Sequence, residues 1–316
     1  ETSGPRPDGY RIYPRNGAGR IIYVSSSVGD DLNDGSAPYP VSGSAGVGPV
    51  RTLARGAQMM TADRGQPSWM LLNSCDDFVN QWIGGFYGLP DGTTYGGDYS
   101  GNPTTGEPQL FGAYGQCQRR PRIMPGLTTG QALYINNHDS HIVVTGLEFL
   151  QHLRDPASAL FDNNAGGNAI VIMRASHDIV LEDNRIQFFN SGLKIQSVLD
   201  ESCPQAMNGD FECNEANLVR NITISRNLIL DSYSTGSHSQ GMFTEGVLNL
   251  TIEENVFDHN GWSEHPRVAA TAEATIYNHA MYLAHGFRAD AVVRGNIVAN
   301  SSATGVQLRA GGLVED

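Results

Sequence analysis

The side chains best equipped for chemistry cluster in the second half of this chain. Lys194, in "NSGLKIQSV", is the only lysine among 20 basic residues, all the others being arginine. The difference matters chemically, because a lysine whose pKa is depressed can act as a base, whereas an arginine is a fixed charge. Arg309 offers such a charge and Tyr282 a phenolic proton donor. His238 in "GSHSQGMF" and His279 in "YNHAMYLAH", with His259 and His285, make the stretch from 238 to 285 rich in imidazole, which shuttles protons near neutral pH or ligates metal. Glu245 adds a carboxylate that suits a general acid, a calcium ligand or a salt-bridge partner for Arg309. Together these types make an acid–base set, with Lys194 as first base, Arg309 as anion partner or second base, and Tyr282 as proton donor. Singly, each reads equally well as a solvated charge or a turn residue.

Other combinations carry weaker signals. A glycoside hydrolase needs two carboxylates about 5.5 Å or about 6.5 to 9.5 Å apart. Glu245 and Asp258 are the pair nearest the histidines, but Asp258 is expected around a corner of the chain, so hydrolysis ranks second. Asp30, Asp31 and Asp34 in "GDDLNDG" offer oxygen ligands for Ca²⁺, although the spacing is not that of an EF-hand and a plain turn is the simpler reading. Phe86, Tyr87 and Tyr95 lie in a Gly-, Tyr-, Thr- and Pro-rich loop from 84 to 107, with Trp82 just before it, as platforms for sugar rings or as the loop's own packing. Cys203 and Cys213 stand ten apart and are expected to close the polar loop between them as a disulfide, the alternative being two free thiols; Cys75 and Cys117 stand alone.

What positions these residues is a repeat hidden by uneven insertions. "HIVVTGLEF" from His141, "DIVLEDNRI" from Asp178, "NITISRNLI" from Asn221, "NLTIEENVF" from Asn249 and "DAVVRGNIV" from Asp290 align without gaps, at spacings of 28 to 43 residues. Apolar residues at alternate positions make strands with one face inward. Asn184, Asn227, Asn255 and Asn296 share the seventh position, where an amide can bond to the next copy and a left-handed backbone is tolerated. Units too short to bury their own apolar face must stack, so the expected fold is an all-β solenoid, a right-handed parallel β-helix.

A second strand precedes each of these segments: "NAIVIMR", "SGLKIQS", "QGMFTEG", "HAMYLAH" and "TGVQLRA". Ile170, Leu193, Met242, Met281 and Val306 should point inward. The outward rows then carry Val171, Lys194, Phe243, Tyr282 and Gln307, and next to them Met173, Gln196, Glu245, Ala284 and Arg309. Phe243, Gln196, Gln307 and His285 are the expected substrate contacts. Upstream, "VRTLARGAQMMTADRG" reads as a short amphipathic helix capping the solenoid's open end, which divides the chain into a cap with first coils over 1–130 and regular coils over 131–316. "GGLVED" stops one residue short of the next ladder Asn, so the β-helix is expected to continue, in the same chain or in a second fragment that pairs with it.

Composition narrows the partners. A formal net charge of −13 opposes nucleic acid binding. No apolar run approaches a membrane span, and "ETSGPRPDGY" has no signal pattern.

"YVSSSVGDDLNDGSAP", "VRTLARGAQ", "GAYGQCQRRPRI" and the Asn-bearing coils resemble the secreted, pectate-lyase-like parallel β-helix superfamily of carbohydrate-active proteins, over essentially the whole chain. The resemblance implies an extracellular or periplasmic protein that binds a polysaccharide along one parallel sheet. It also implies a lead mechanism, β-elimination of a uronate, in which a cation neutralises the sugar carboxylate while a base removes the α-proton. The Asp-Pro-His of alginate epimerases and a clear polygalacturonase set of Asp pairs are missing. A non-catalytic carbohydrate-binding or adhesive solenoid is the alternative from another class.

Overall fold

The computed structural model describes residues 13, 15, 19–62, 67–84, 101, 107–126, 130–136, 138–197, 215–284, 290–309 and 311–316. Short strands follow one another around each coil. Asn168–Met173, His177–Glu182 and Arg185–Gln187 complete one circuit before Ser191–Gln196 opens the next. Each strand pairs with its counterparts one coil up and down, giving parallel sheets of nine, seven and six strands. The chain is therefore a parallel β-helix, and Leu53–Ala62 is the one α-helix among the described residues.

The alternation read from sequence sets the register. Leu193 pairs with Ile170 and Met242, Met242 with Met281, and Met281 with Val306. Ile170, Ile172, Leu193, Ile195, Met242, Thr244, Met281 and Leu283 are buried, while Val306 and Leu308 pack against the core. Burying such side chains is worth about 1.5–3 kcal/mol each, so the central row holds the solenoid together. The small residues that open these strands have a steric reason: a Cβ at Gly192 would sit 2.6 Å from the Gly241 carbonyl oxygen, and one at Gly241 equally close to that of Ala280.

The asparagine ladder forms, with one correction. The Asn227 Oδ1 accepts from the Asn184 backbone N–H at 2.9 Å and from its amide at 3.1 Å, and the Asn255 Oδ1 serves Asn227 in the same way. Asn296 does the same for Asn255. The left-handed residue, however, is the one before each Asn: Asp183, Arg226, Glu254 and Gly295 have φ between 55° and 59°. The first position of the repeat is left-handed too, at His141, Asp178, Asn221 and Asn249. Asn, Asp and His are the non-glycine residues that accept this conformation at least cost, which accounts for their choice there.

The helix caps one end as expected. Leu53, Ala57, Met59 and Met60 are buried. Gly56 lets the helix close on the first sheet, since a Cβ there would lie 2.7 Å from the Met70 sulfur. Asp31 is used at its N-terminus, accepting from the Arg51 and Thr52 backbone N–H groups at 2.8 and 2.9 Å. Asp30 accepts from the Leu32 N–H at 3.0 Å and Asp34 from the Ser36 N–H at 3.0 Å, so the three acids serve separate turn and cap contacts.

Cys75 and Cys117, solitary in the sequence, form a disulfide with Cα atoms 5.8 Å apart. They follow the neighbouring strands Trp69–Asn73 and Gln109–Tyr114, so the bond staples two adjacent coils. Cys203 and Cys213 lie outside the described residues, as do Phe86, Tyr87 and Tyr95; Trp82 is half-buried. Among the described residues no helix is long and apolar enough to cross a membrane.

Candidate functional site

The six-stranded sheet carries a cleft of about 780 Å³ on its outer face. Strand alternation turns one row outward, and pairing fixes its order as Lys194, Phe243, Tyr282 and Gln307. A second row comes from the strand starts, where Asn168, Ser191, Gln240 and His279 are in register. Ser237, His238, Ile276 and Tyr277, from the connections between coils, raise the wall, and Arg309 closes the far end.

Tyr282 is the centre of this arrangement. Its ring lies 5.2 Å from that of His279 and 5.7 Å, edge-on, from that of Phe243, while the Arg309 guanidinium sits 5.5 Å from its centroid. Gln240 fixes the neighbouring backbone, accepting from the His279 N–H at 2.6 Å and donating to the Tyr277 carbonyl at 2.9 Å. His279 places Nδ1 3.4 Å from the Thr304 carbonyl and 3.2 Å from its hydroxyl. The carbonyl contact suits a proton on Nδ1, a tautomer that keeps the lone pair on Nε2, while the hydroxyl can serve that nitrogen as donor or acceptor. Burial holds the His279 pKa below the ordinary imidazole value, and the positive charge of Arg309 pushes the same way.

Of the residues singled out in the sequence, Lys194, Arg309, Tyr282, His238, His279, Phe243 and Gln307 share this cleft. They do not form one cluster. Lys194 is two rungs from Tyr282, about 10 Å at strand spacing, with Phe243 between them. Gln196 and Glu245 face each other in the adjacent outward row, where the amide donates to the carboxylate, and neither lines the cleft. His285 lies outside the described residues. The row of Asn168, Ser191 and Gln240 was not anticipated, although its register follows from placing His279 three residues before Tyr282. Ile276 and Tyr277 belong to an insertion that no repeat pattern reaches; they are 77% and 62% exposed at the rim. No carboxylate stands among the described lining residues.

A second cleft, of about 590 Å³, lies around the corner of the coil and contains Asp155, Asp231, Tyr233, His259, Trp262 and Glu264. Burial raises the Asp231 pKa, against a 2.7 Å hydrogen bond from the Gln187 amide that lowers it. His259 stacks on Trp262 at 6.1 Å and contacts Asp258 at 2.9 Å. Arg154, 2% exposed, supports the floor by donating to the carbonyls of Ala165 and Tyr233 at 2.7 and 2.6 Å. As anticipated, Glu245 and Asp258 stand on different sheets.

Solved structures with this architecture resemble the chain. The GH136 lacto-N-biosidase from Eubacterium ramulus superimposes with a TM-score of 0.50 at 13% identity, over 88% of this chain and 55% of that one. The chain thus spans a little over half the length of that enzyme. A rhamnogalacturonan lyase gives a TM-score of 0.41 at 16% identity, over 90% of this chain and 74% of the other. The alginate lyase from Paenibacillus sp. str. FPU-7 gives 0.33 at 12%, over 84% and 96%. At these identities the likeness is one of fold. No protein-family model and no curated protein matches the sequence.

Proposed function

We propose that the protein is an extracellular polysaccharide lyase that cleaves a uronate-containing chain by β-elimination in the cleft around Tyr282. The observation that carries this reading is the lining of the cleft. In a chain of net charge −13 it gathers Lys194, Arg309, His238 and His279 with no described Asp or Glu. Such a site suits an anionic sugar and lacks the carboxylate pair that glycoside hydrolysis requires.

The geometry suits the following roles in this reading. Arg309 holds the uronate carboxylate, stabilising the charge that develops when the neighbouring carbon loses its proton. His279 Nε2 removes that proton from C5, the C–H electron pair becomes the C4–C5 double bond, and the C4–O bond breaks. Tyr282 gives its phenolic proton to the departing oxygen. Lys194, two rungs away, binds the carboxylate of another sugar along the chain. The Cys75–Cys117 disulfide supports an oxidising, extracytosolic location.

Mass spectrometry of the products tests the reaction class. Elimination adds no water, so one product of each cut is an unsaturated, dehydrated oligosaccharide; hydrated fragments alone would refute it. Hydrolysis is the second reading, favoured by the half-buried Asp231 that shares the second cleft with Trp262, and it predicts those hydrated fragments and their loss in Asp231→Asn. Binding of polysaccharide with no product at all would mark an adhesive solenoid.

A further inference from the structure

We infer that His141, His177 and Asp178 form a binding site for a divalent transition-metal ion, of the Zn²⁺ class, that clamps two neighbouring coils. These three residues are the one group of its kind among the described residues, their ligand atoms all lying within 4.8 Å of one another. None of the three lines either cleft.

The site arises from the stacking of the repeat. Ser140 pairs with His177, so His141 on one coil stands beside Asp178 on the next. The His177 Nδ1 is 2.6 Å and the His141 Nε2 3.7 Å from the same Asp178 oxygen, Oδ2, and the two imidazoles lie edge to face at 6.0 Å. Hydrogen-bonding neighbours orient these side chains, as they do around metal sites in general. The His141 Nδ1 contacts the Ser140 hydroxyl at 3.1 Å, which leaves Nε2 turned to Asp178. The other Asp178 oxygen accepts from the Asn221 amide at 2.7 Å, and Asn221 in turn accepts from the Asn249 amide at 2.8 Å.

The same column supplies an internal comparison. In the later coils, first-position side chains bridge by plain amide bonding, Asn249 to Asn221. Between the two earlier coils the amides give way to imidazole and carboxylate, and His177 adds a nitrogen from the preceding position. Two imidazoles and one carboxylate suit zinc and other first-row ions, whereas Ca²⁺ prefers oxygen ligands throughout. Three protein ligands leave a position for water, and the half-exposed setting gives the ion a way in.

The test uses the full chain, stripped with a chelator and titrated with Co²⁺ at neutral pH. The inference predicts visible ligand-field bands that saturate at one ion per chain, are bleached by Zn²⁺, and accompany a rise in thermal midpoint. In His177→Gln and in Asp178→Asn the affinity should fall at least about 100-fold, since each loses a direct ligand and even the loss of a group that only hydrogen-bonds to a ligand costs about 10–100-fold. Asn tolerates the left-handed backbone at 178, where φ is 55°, so that variant keeps the turn. Absence of the bands in the unaltered chain, or bands of equal strength in both variants, would overturn the assignment. Both results are independent of turnover, so this site stands or falls apart from the lyase reading.

Discussion

The lone lysine, the most conspicuous residue in the sequence, sits in the cleft but away from its centre. Rung spacing puts it about 10 Å from Tyr282, whereas His279 and Arg309 both meet that ring directly. The proposed elimination therefore takes His279 rather than Lys194 as its base. His279→Ala should lower kcat by about 10²–10⁴, the usual contribution of a positioned proton-transfer group. Lys194→Ala should chiefly raise KM, about tenfold, with kcat little changed, as expected when binding of a distant part of the substrate is lost. The pH profile follows from the lowered His279 pKa. The neutral imidazole is the active form, so kcat/KM should fall only as pH drops through a value below about 6.5, the unperturbed figure. Replacing Arg309 with Gln removes one cause of the depression and should move that acidic limb upward. A limb centred above 6.5 in the unaltered protein would remove His279 from the role.

At the scale of the strand and the coil, most of the arrangement was legible before any coordinates. Period-two apolar residues have one way to face a core, so the rows through Leu193 and Lys194 could be placed at once. The asparagines were recognisable because a buried turn needs an amide able to donate and accept. What could not be read was which residue takes the left-handed bend, since Asp, Arg and Glu occupy it at 183, 226 and 254 without a shared signature. The cleft wall was also hidden, because Ile276 and Tyr277 come from an insertion set by stacking rather than by local pattern. The ladder gives a stability prediction. Asn227→Ala strips partners from Asn184 and from the Leu181 carbonyl in a buried turn. Buried groups left unsatisfied cost about 1–3 kcal/mol, so urea unfolding should lose at least about 2 kcal/mol. Asn296→Ala, in a more exposed turn, should lose less, and equal losses would contradict the burial argument.

Across the whole molecule, charge and covalent stapling set the behaviour. A cationic cleft on a chain of net charge −13 would draw a polyanion only at short range. Screening should weaken it, so KM for an acidic polysaccharide should rise several-fold between about 0.05 and 0.5 M salt. The Cys75–Cys117 bond closes a loop across 42 residues, and chain-entropy reasoning assigns such a closure about 4 kcal/mol. Cys75→Ser should accordingly lower the thermal midpoint by several degrees, and an unchanged midpoint would deny the bond a structural role. That pairing was invisible in the sequence because stacking brings together cysteines that no short spacing relates. The central claim, elimination at the Tyr282 cleft, meets its most direct test in one assay: the protein is incubated with acidic and neutral polysaccharides, with and without calcium, and the ultraviolet absorbance of an unsaturated uronate is followed beside reducing ends. Absorbance rising in step with reducing ends on an acidic polymer, and abolished in His279→Ala, is the predicted result. Reducing ends without absorbance, or absorbance untouched by that substitution, would contradict it.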